Sequence, residues 1–143
     1  MDIRLTKEIY GNAWFIDPIS FIQYSKTLDF FRNGGKIEKP EVKSNSFGIL
    51  DADGIFSARK IQRMEQVAPG TIAMYNFDGP ITKYGGWSHY GTVEIADQFK
   101  AMEANENVTG HLFFVESGGG SANAIKYIRD VSSKTARTKP LVV

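Results

Sequence analysis

One segment narrows the folding options of this chain more than any other. The apolar run His111-Leu112-Phe113-Phe114-Val115 passes through Glu116-Ser117 into three consecutive glycines, Gly118-Gly119-Gly120, and then Ser121. A short, continuous apolar run predicts a strand buried on both faces. A helix is expected to restart directly after the glycines, with Ala124, Ile125, Ile128 and Val131 on its inner face. A strand entering glycines and then a helix would present bare backbone N–H groups at a helix N-terminus. Such groups attract negative charge, and the missing Cβ atoms let a ligand approach the main chain closely. A phosphate, a carboxylate or the oxyanion of acyl transfer would each suit this geometry. A plain change of direction is the structural alternative, although three glycines are entropically costly for that purpose.

The flanking sequence extends the pattern. Thr71-Ile72-Ala73-Met74-Tyr75-Asn76-Phe77 is a strand candidate closed by the turn Asp78-Gly79-Pro80, and a loop rich in glycine and aromatics, Lys83 to Gly91, follows. Thr92 can cap a helix in which Val93, Ala96, Phe99 and Met102 recur at helical spacing, with Glu94 near its positive end. Lys139-Pro140 precedes a further apolar strand opening at Leu141-Val142-Val143. Strand, helix, strand, helix, strand predicts an α/β fold with a parallel sheet built from crossovers. A domain that stops partway into a central strand would lack completed pairing, so the chain is expected to be a piece of something longer.

The composition divides near residue 68, giving residues 1–68 as a small α/β N-terminal region and residues 69–143 as the sheet-forming part. Ile3 to Tyr10 alternates loosely and suggests a strand. Asp17-Pro18 has the form of an N-cap followed by proline in the first helical position. Ile19, Ile22, Leu28 and Phe31 supply the face of that helix, Asn33-Gly34-Gly35 stops it, and a polar connection containing Pro40 follows. A second helix is expected from Ser57 through Ile61 and Met64 to Ala68-Pro69-Gly70. Asp51-Ala52-Asp53-Gly54 superficially suggests a calcium loop, but Ile55 stands where the next oxygen ligand belongs, which favours an ordinary turn. No metal site is expected.

Charge and composition exclude several classes. Seventeen basic residues against sixteen acidic ones leave a formal charge of +1, without the basic surplus of a nucleic-acid binder. The absence of cysteine removes disulfides, thiolate nucleophiles and cysteine-based metal sites. The first eight residues lack the apolar core of a secretory signal, and Leu112 to Val115 is too short to span a bilayer. A soluble cytoplasmic protein is the expectation.

The glycines do not match the common phosphate motifs. No lysine follows them as in a phosphate-binding loop, and Asn123 stands where the dinucleotide pattern wants its third glycine. Ser117 makes a poor nucleophile elbow, because Val115 replaces the first glycine of that motif and both histidines, His89 and His111, come earlier in the chain. His111 reads as a structural residue at the head of an apolar strand. His89, in the aromatic loop, reads as exposed or touching substrate. Trp87, Tyr84 and Tyr90 fit a binding loop, or a loop packed on its own core.

Residues 70–143 resemble the opening of the S49 peptidase domain, the signal peptide peptidase A type, which shares the ClpP/crotonase fold. The likeness rests on a strand ending at Gly79-Pro80-Ile81, a helix after a loop, and an apolar strand entering Glu116-Ser117-Gly118-Gly119-Gly120-Ser121. A helix and a Lys-Pro-apolar strand complete it. Glu116 and Gly118 depart from the family's usual Asp-Ser-Pro-Gly-Gly. The front of the chain, with Glu8-Ile9-Tyr10-Gly11 and Trp14 to Pro18, resembles phage-type members that process capsid or scaffold proteins. The resemblance implies an incomplete ClpP/crotonase-like sheet and a serine endopeptidase acting on polypeptides without a cofactor. It makes the Gly119 N–H a catalytic oxyanion donor and places Gly118, Gly120 and Ser121 along the substrate. It also implies homo-oligomers, and puts the serine and its base beyond residue 143, so that the fragment alone is inactive. Lys126, Lys134 and Lys139 then read as solvated side chains. Two other expectations remain open: a crotonase-type acyl-CoA enzyme, and a non-catalytic assembly module.

Overall fold

A computed structural model describes residues 3–36, 47–58, 67–85, 89–134 and 137–143. The Pro40 connection, the helix expected through Ile61 and Met64, and Trp87 lie outside the described residues.

The chain is a mixed α/β structure. Helix α1 (Ile3–Gly11) leads through strand β1 (Trp14–Ile16) into helix α2 (Pro18–Arg32). A hairpin follows, of β2 (Phe47–Leu50) and β3 (Phe56–Ala58). Then come β4 (Thr71–Asp78), α3 (Thr92–Glu103), β5 (Val108–Glu116), β6 (Gly119–Ser121), α4 (Ile125–Ser132) and β7 (Leu141–Val142). The main sheet has the order β3-β2-β4-β5-β7, and β1 and β6 form a separate two-stranded ladder. Strands β4, β5 and β7 are parallel, as the crossover pattern predicts, while β2 runs antiparallel to both β3 and β4. The sheet therefore crosses residue 68.

Several local expectations hold. Asp17 Oδ1 accepts the N–H groups of Ile19 and Ser20 at 3.0 Å each, capping α2, and Gly34 takes the left-handed conformation just past its end. Asp51 Oδ1 accepts the N–H groups of Asp53 and Ile55, which makes the Asp51–Gly54 segment the turn of the β2–β3 hairpin.

Other expectations are corrected. Ile3 to Tyr10 is helical rather than extended, fixed by the buried carboxylate of Glu8, which reaches residues far away in sequence. Ser57 lies within β3, hydrogen-bonded opposite Ile49, and does not cap a helix. Gly91, not Thr92, is the N-cap of α3, and Glu94 accepts its N–H. Strand β5 is buried on one face only: Phe113 is in the core, whereas Phe114 is 58% exposed, because α3 and α4 cover a single side of the sheet. Ile125 likewise faces out, leaving Ala124, Ile128 and Val131 on the inner side of α4.

The core gathers on the helix side. Tyr75, Phe47, Phe99 and Phe113 pack with ring centroids 5.3–5.5 Å from Tyr75, joined by Ile95, Met102 and Val108. His111 stacks on Phe99 at 4.0 Å and donates or accepts at both nitrogens, with Glu103 Oε2 at 2.8 Å and the Tyr75 hydroxyl at 3.3 Å. It is the structural residue its position suggests. Desolvation lowers the His111 pKa; the Glu103 carboxylate can only accept, so Nε2 donates to it, and the neutral ring then accepts at Nδ1 from Tyr75. Lys139 is not solvated: its Nζ donates to the Met102 and Asn105 carbonyls at 2.9 and 2.6 Å, capping the C-terminal end of α3.

Candidate functional site

The candidate site lies where parallel strands β4 and β5 end. Gly79 takes a positive φ of 76° and turns the chain at the end of β4, donating its N–H to the Glu116 carbonyl at 3.0 Å. The chain leaving β4 then runs beside the chain leaving β5. Ile81 N–H donates to the Gly119 carbonyl at 3.0 Å, and Ser121 N–H donates to the Ile81 carbonyl at 2.9 Å, forming a parallel bridge around Gly120. Ligands of open α/β sheets sit in this position, outside the carboxyl ends of the strands.

The glycines do not open a helix. Gly119 to Ser121 form β6, and α4 begins only at Ile125, after Ala124 as its N-cap. The expectation of bare amides at a helix N-terminus is therefore corrected. The reason is tertiary: β1 lies antiparallel against one edge of β6, with Trp14 opposite Ser121, Phe15 opposite Gly120 and Ile16 opposite Gly119. Asp17 N–H to the Gly118 carbonyl at 2.8 Å and Ala122 N–H to the Ala13 carbonyl at 2.9 Å extend this ladder at both ends.

Each glycine has a steric reason here. Gly119 has φ +119°, outside the range of ordinary L-residues, and a Cβ there would overlap the Phe15 carbonyl. A Cβ on Gly118 would overlap the Asp17 carboxylate and Ser20 hydroxyl, and one on Gly120 the Ile81 carbonyl. The three positions are packed between the start of α2, β1 and the turn after β4.

The backbone donors of this strand are engaged. Gly119 N–H points to Ser117 Oγ at 3.1 Å, and that hydroxyl donates to the Gly79 carbonyl at 2.6 Å. Ser117 is thus a tie between two loops, with no base beside it in these hydrogen bonds. Ser121 differs: it is buried, and its Oγ has no hydrogen-bond partner among the described residues.

The loop after the turn is held by two carboxylates that sequence reasoning did not single out for this role. Glu8 of α1, buried, accepts the N–H of Lys83 and, at 3.1 Å, that of Tyr84. Glu94 of α3 accepts from Gly85 at 3.2 Å and from Gly91 at 3.0 Å. His89 Nε2 lies 3.0 Å from Thr82 Oγ1, which itself donates to the Tyr84 carbonyl, so His89 donates into the loop. Lys83 Nζ rests over the rings of Tyr84 and Tyr127, at 4.8 and 5.1 Å from their centroids. Tyr24 of α2 stands beside this arrangement, its hydroxyl pushed up to about 12 by burial and by the Glu8 charge. Ser20 holds the Asp17 carboxyl below the usual carboxylate range through its hydroxyl and N–H.

The elements thus bring Gly119, Gly120 and Ser121 into one strand, with Gly118 in the bend that leads into it, flanked by Asp17, Ser20 and Ile81. Lys126 and Lys134 are exposed on and after α4. No helix among the described residues is long and apolar enough to cross a membrane. Compared with known proteins, the chain matches no family model, no curated protein and no solved structure.

Proposed function

We propose that this chain forms the oxyanion and substrate-strand side of a serine endopeptidase of S49 type, acting on polypeptides by nucleophilic acyl transfer in a cytoplasmic setting. The observation that carries this reading is the position of the glycine strand: β6 leaves the carboxyl ends of parallel β4 and β5, where α/β sheets hold ligands. The parallel order β4-β5-β7, with α3 and α4 on one face, agrees with an incomplete ClpP/crotonase-like sheet.

In the mechanism a base removes a serine proton, the hydroxyl attacks a peptide carbonyl, and the Gly119 N–H turns from Ser117 Oγ to the developing oxyanion. Such a donor contributes about 2.7–4 kcal/mol of transition-state stabilisation. Gly118, Gly120 and Ser121 border the extended substrate. The nucleophile and base must come from outside the described residues, and no cofactor takes part.

The test is fluorophosphonate treatment of the protein expressed from its full coding sequence. Labelling of one serine, identified by mass spectrometry, is expected. A folded protein that takes no label rejects the peptidase. A non-catalytic, self-associating assembly module is the second reading, favoured by the exposed apolar side chains Ile19, Phe21, Ile22 and Phe30 on α2. It predicts an unlabelled oligomer. A crotonase-type enzyme would instead retain an acyl-CoA and also resist labelling.

A further inference from the structure

We propose that β1 is a cis-acting strand that occupies the peptide-pairing edge of β6, so that α1 and β1 keep the candidate site closed until they are displaced. The proposal rests on the reading of Gly118–Ser121 as a substrate strand, and adds its regulation.

A three-residue strand has two edges, and both edges of β6 are taken. Ile81 holds one by its parallel bridge around Gly120. The other is filled by Trp14–Ile16, which pairs as an incoming extended peptide would: antiparallel, through main-chain bonds, with alternate side chains in and out. Strand β1 belongs to no other sheet, so the main sheet does not need it. Phe15, at the centre of the ladder, directs its ring to solvent and is 74% exposed. Trp14 packs against Tyr24 with ring centroids 5.6 Å apart, and Ile16 is half-buried. Phe15 adds little burial, however, and the main-chain bonds are ones that many peptide sequences can make.

One tie makes α1 and β1 move together, and a second anchors the pair to the site. Trp14 Nε1 donates to the Ile9 carbonyl at 3.2 Å, linking strand to helix. The Glu8 carboxylate is seated on the Lys83 and Tyr84 N–H groups, fixing α1 to the loop that borders the site. A nine-residue helix has no stability of its own in water, so α1 persists only while docked. Glu8 is thus a latch and β1 the strand it holds in place. Removing either exposes the edge of β6.

The experiment titrates a fluorescein-labelled peptide carrying the sequence of residues 12–18 with the full chain and two variants. Phe15→Pro removes the N–H opposite Gly120 without touching the core, and Glu8→Ala removes the latch. Because apparent affinity scales with the open fraction, either variant is expected to bind the peptide roughly tenfold more tightly than the native chain. A control peptide with proline in place of phenylalanine should bind none of them. Equal affinity for native and variant chains, or no binding to any, overturns the proposal. Amide protection in β4 and β5 establishes that a variant is folded, and Glu8→Ala decides the matter if Phe15→Pro is not. The fluorophosphonate result is independent. A labelled serine with unchanged peptide affinities sinks only the cis strand, and tighter peptide binding without label sinks only the peptidase.

Discussion

Tyr75 and Phe15 are both aromatic residues at the centre of a strand, yet one is 1% exposed and the other 74%. Around Tyr75 the structure is held by burial, with Phe47, Phe99, Phe113 and His111 packed ring against ring. Around Phe15 it is held by main-chain bonds and by carboxylates. β1 pairs with β6, Asp17 caps α2, Glu8 grips the loop, and the apolar side chains Ile19, Phe21 and Ile22 face outward. Burial is cooperative and loses several neighbours at once when broken. Hydrogen bonds to exposed backbone exchange readily with water and contribute only about 1 kcal/mol each. Residues around α3 and β5 should therefore unfold with the whole molecule, and α1 with β1 should come away first.

The largest effect should come from the core. Phe99→Ala is expected to cost about 3–5 kcal/mol in urea unfolding, since it empties a site touching Tyr75, His111 and Phe113. A cost under 1 kcal/mol would erase the distinction between the regions.

Acid should strike the same region next. Desolvation alone raises the Glu103 pKa, but hydrogen bonds from Thr138, His111 and Lys139 together outweigh it and hold the carboxyl at about 2, against an ordinary 4.5. His111 is also depressed from 6.5, by desolvation. Both folded-state values lie below the unfolded ones, so both contributions are present above those values and lost as pH falls. Stability should decline from about pH 6.5 as His111 becomes protonated in the unfolded chain, and further between pH 4.5 and 2 through Glu103. Denaturation midpoints measured against pH check this; His111→Gln should flatten the upper part of the curve.

Glu8→Ala sharpens the contrast from the other side. It leaves the Lys83 and Tyr84 N–H groups without their acceptor, at a cost of about 2 kcal/mol. Hydrogen exchange should show lost protection at Lys83, Tyr84 and the β1 amides, with β4 and β5 unchanged. Smallest is Asp17→Ala, expected to cost about 1 kcal/mol and to fray the first turn of α2. Exchange at Ile19 and Ser20 reports it.

What the sequence discloses follows the same division. The Asp17 cap was legible because it is settled by residues two and three positions away. Strand β4, helix α3 and strand β5 were legible from periodicity and apolar content. Helix α1 was not, because eight residues fit either period loosely and the deciding contact joins Glu8 to Lys83. The candidate site was half legible. Three glycines marked the place, but their conversion into a strand depends on Phe15 and Ile81, whose approach leaves no trace near residue 119. The exposure of Phe114 was hidden too, since an apolar run does not record which of its faces is covered.

The bonds at the end of α3 have a consequence for how the chain assembles. Glu103 Oε1 receives the N–H groups of Thr138 and Lys139 and the Thr138 hydroxyl, while Lys139 returns a bond to the Met102 carbonyl. Parallel strands must ordinarily find each other across a long crossover, at an entropic cost set by the loop between them. Here only Pro140 separates the clamped pair from Leu141, which lies opposite His111. Once the clamp has formed, β7 has almost no slack left in which to choose a wrong register. Glu103, which shapes the acid response, thus also acts as an alignment stop for the last strand.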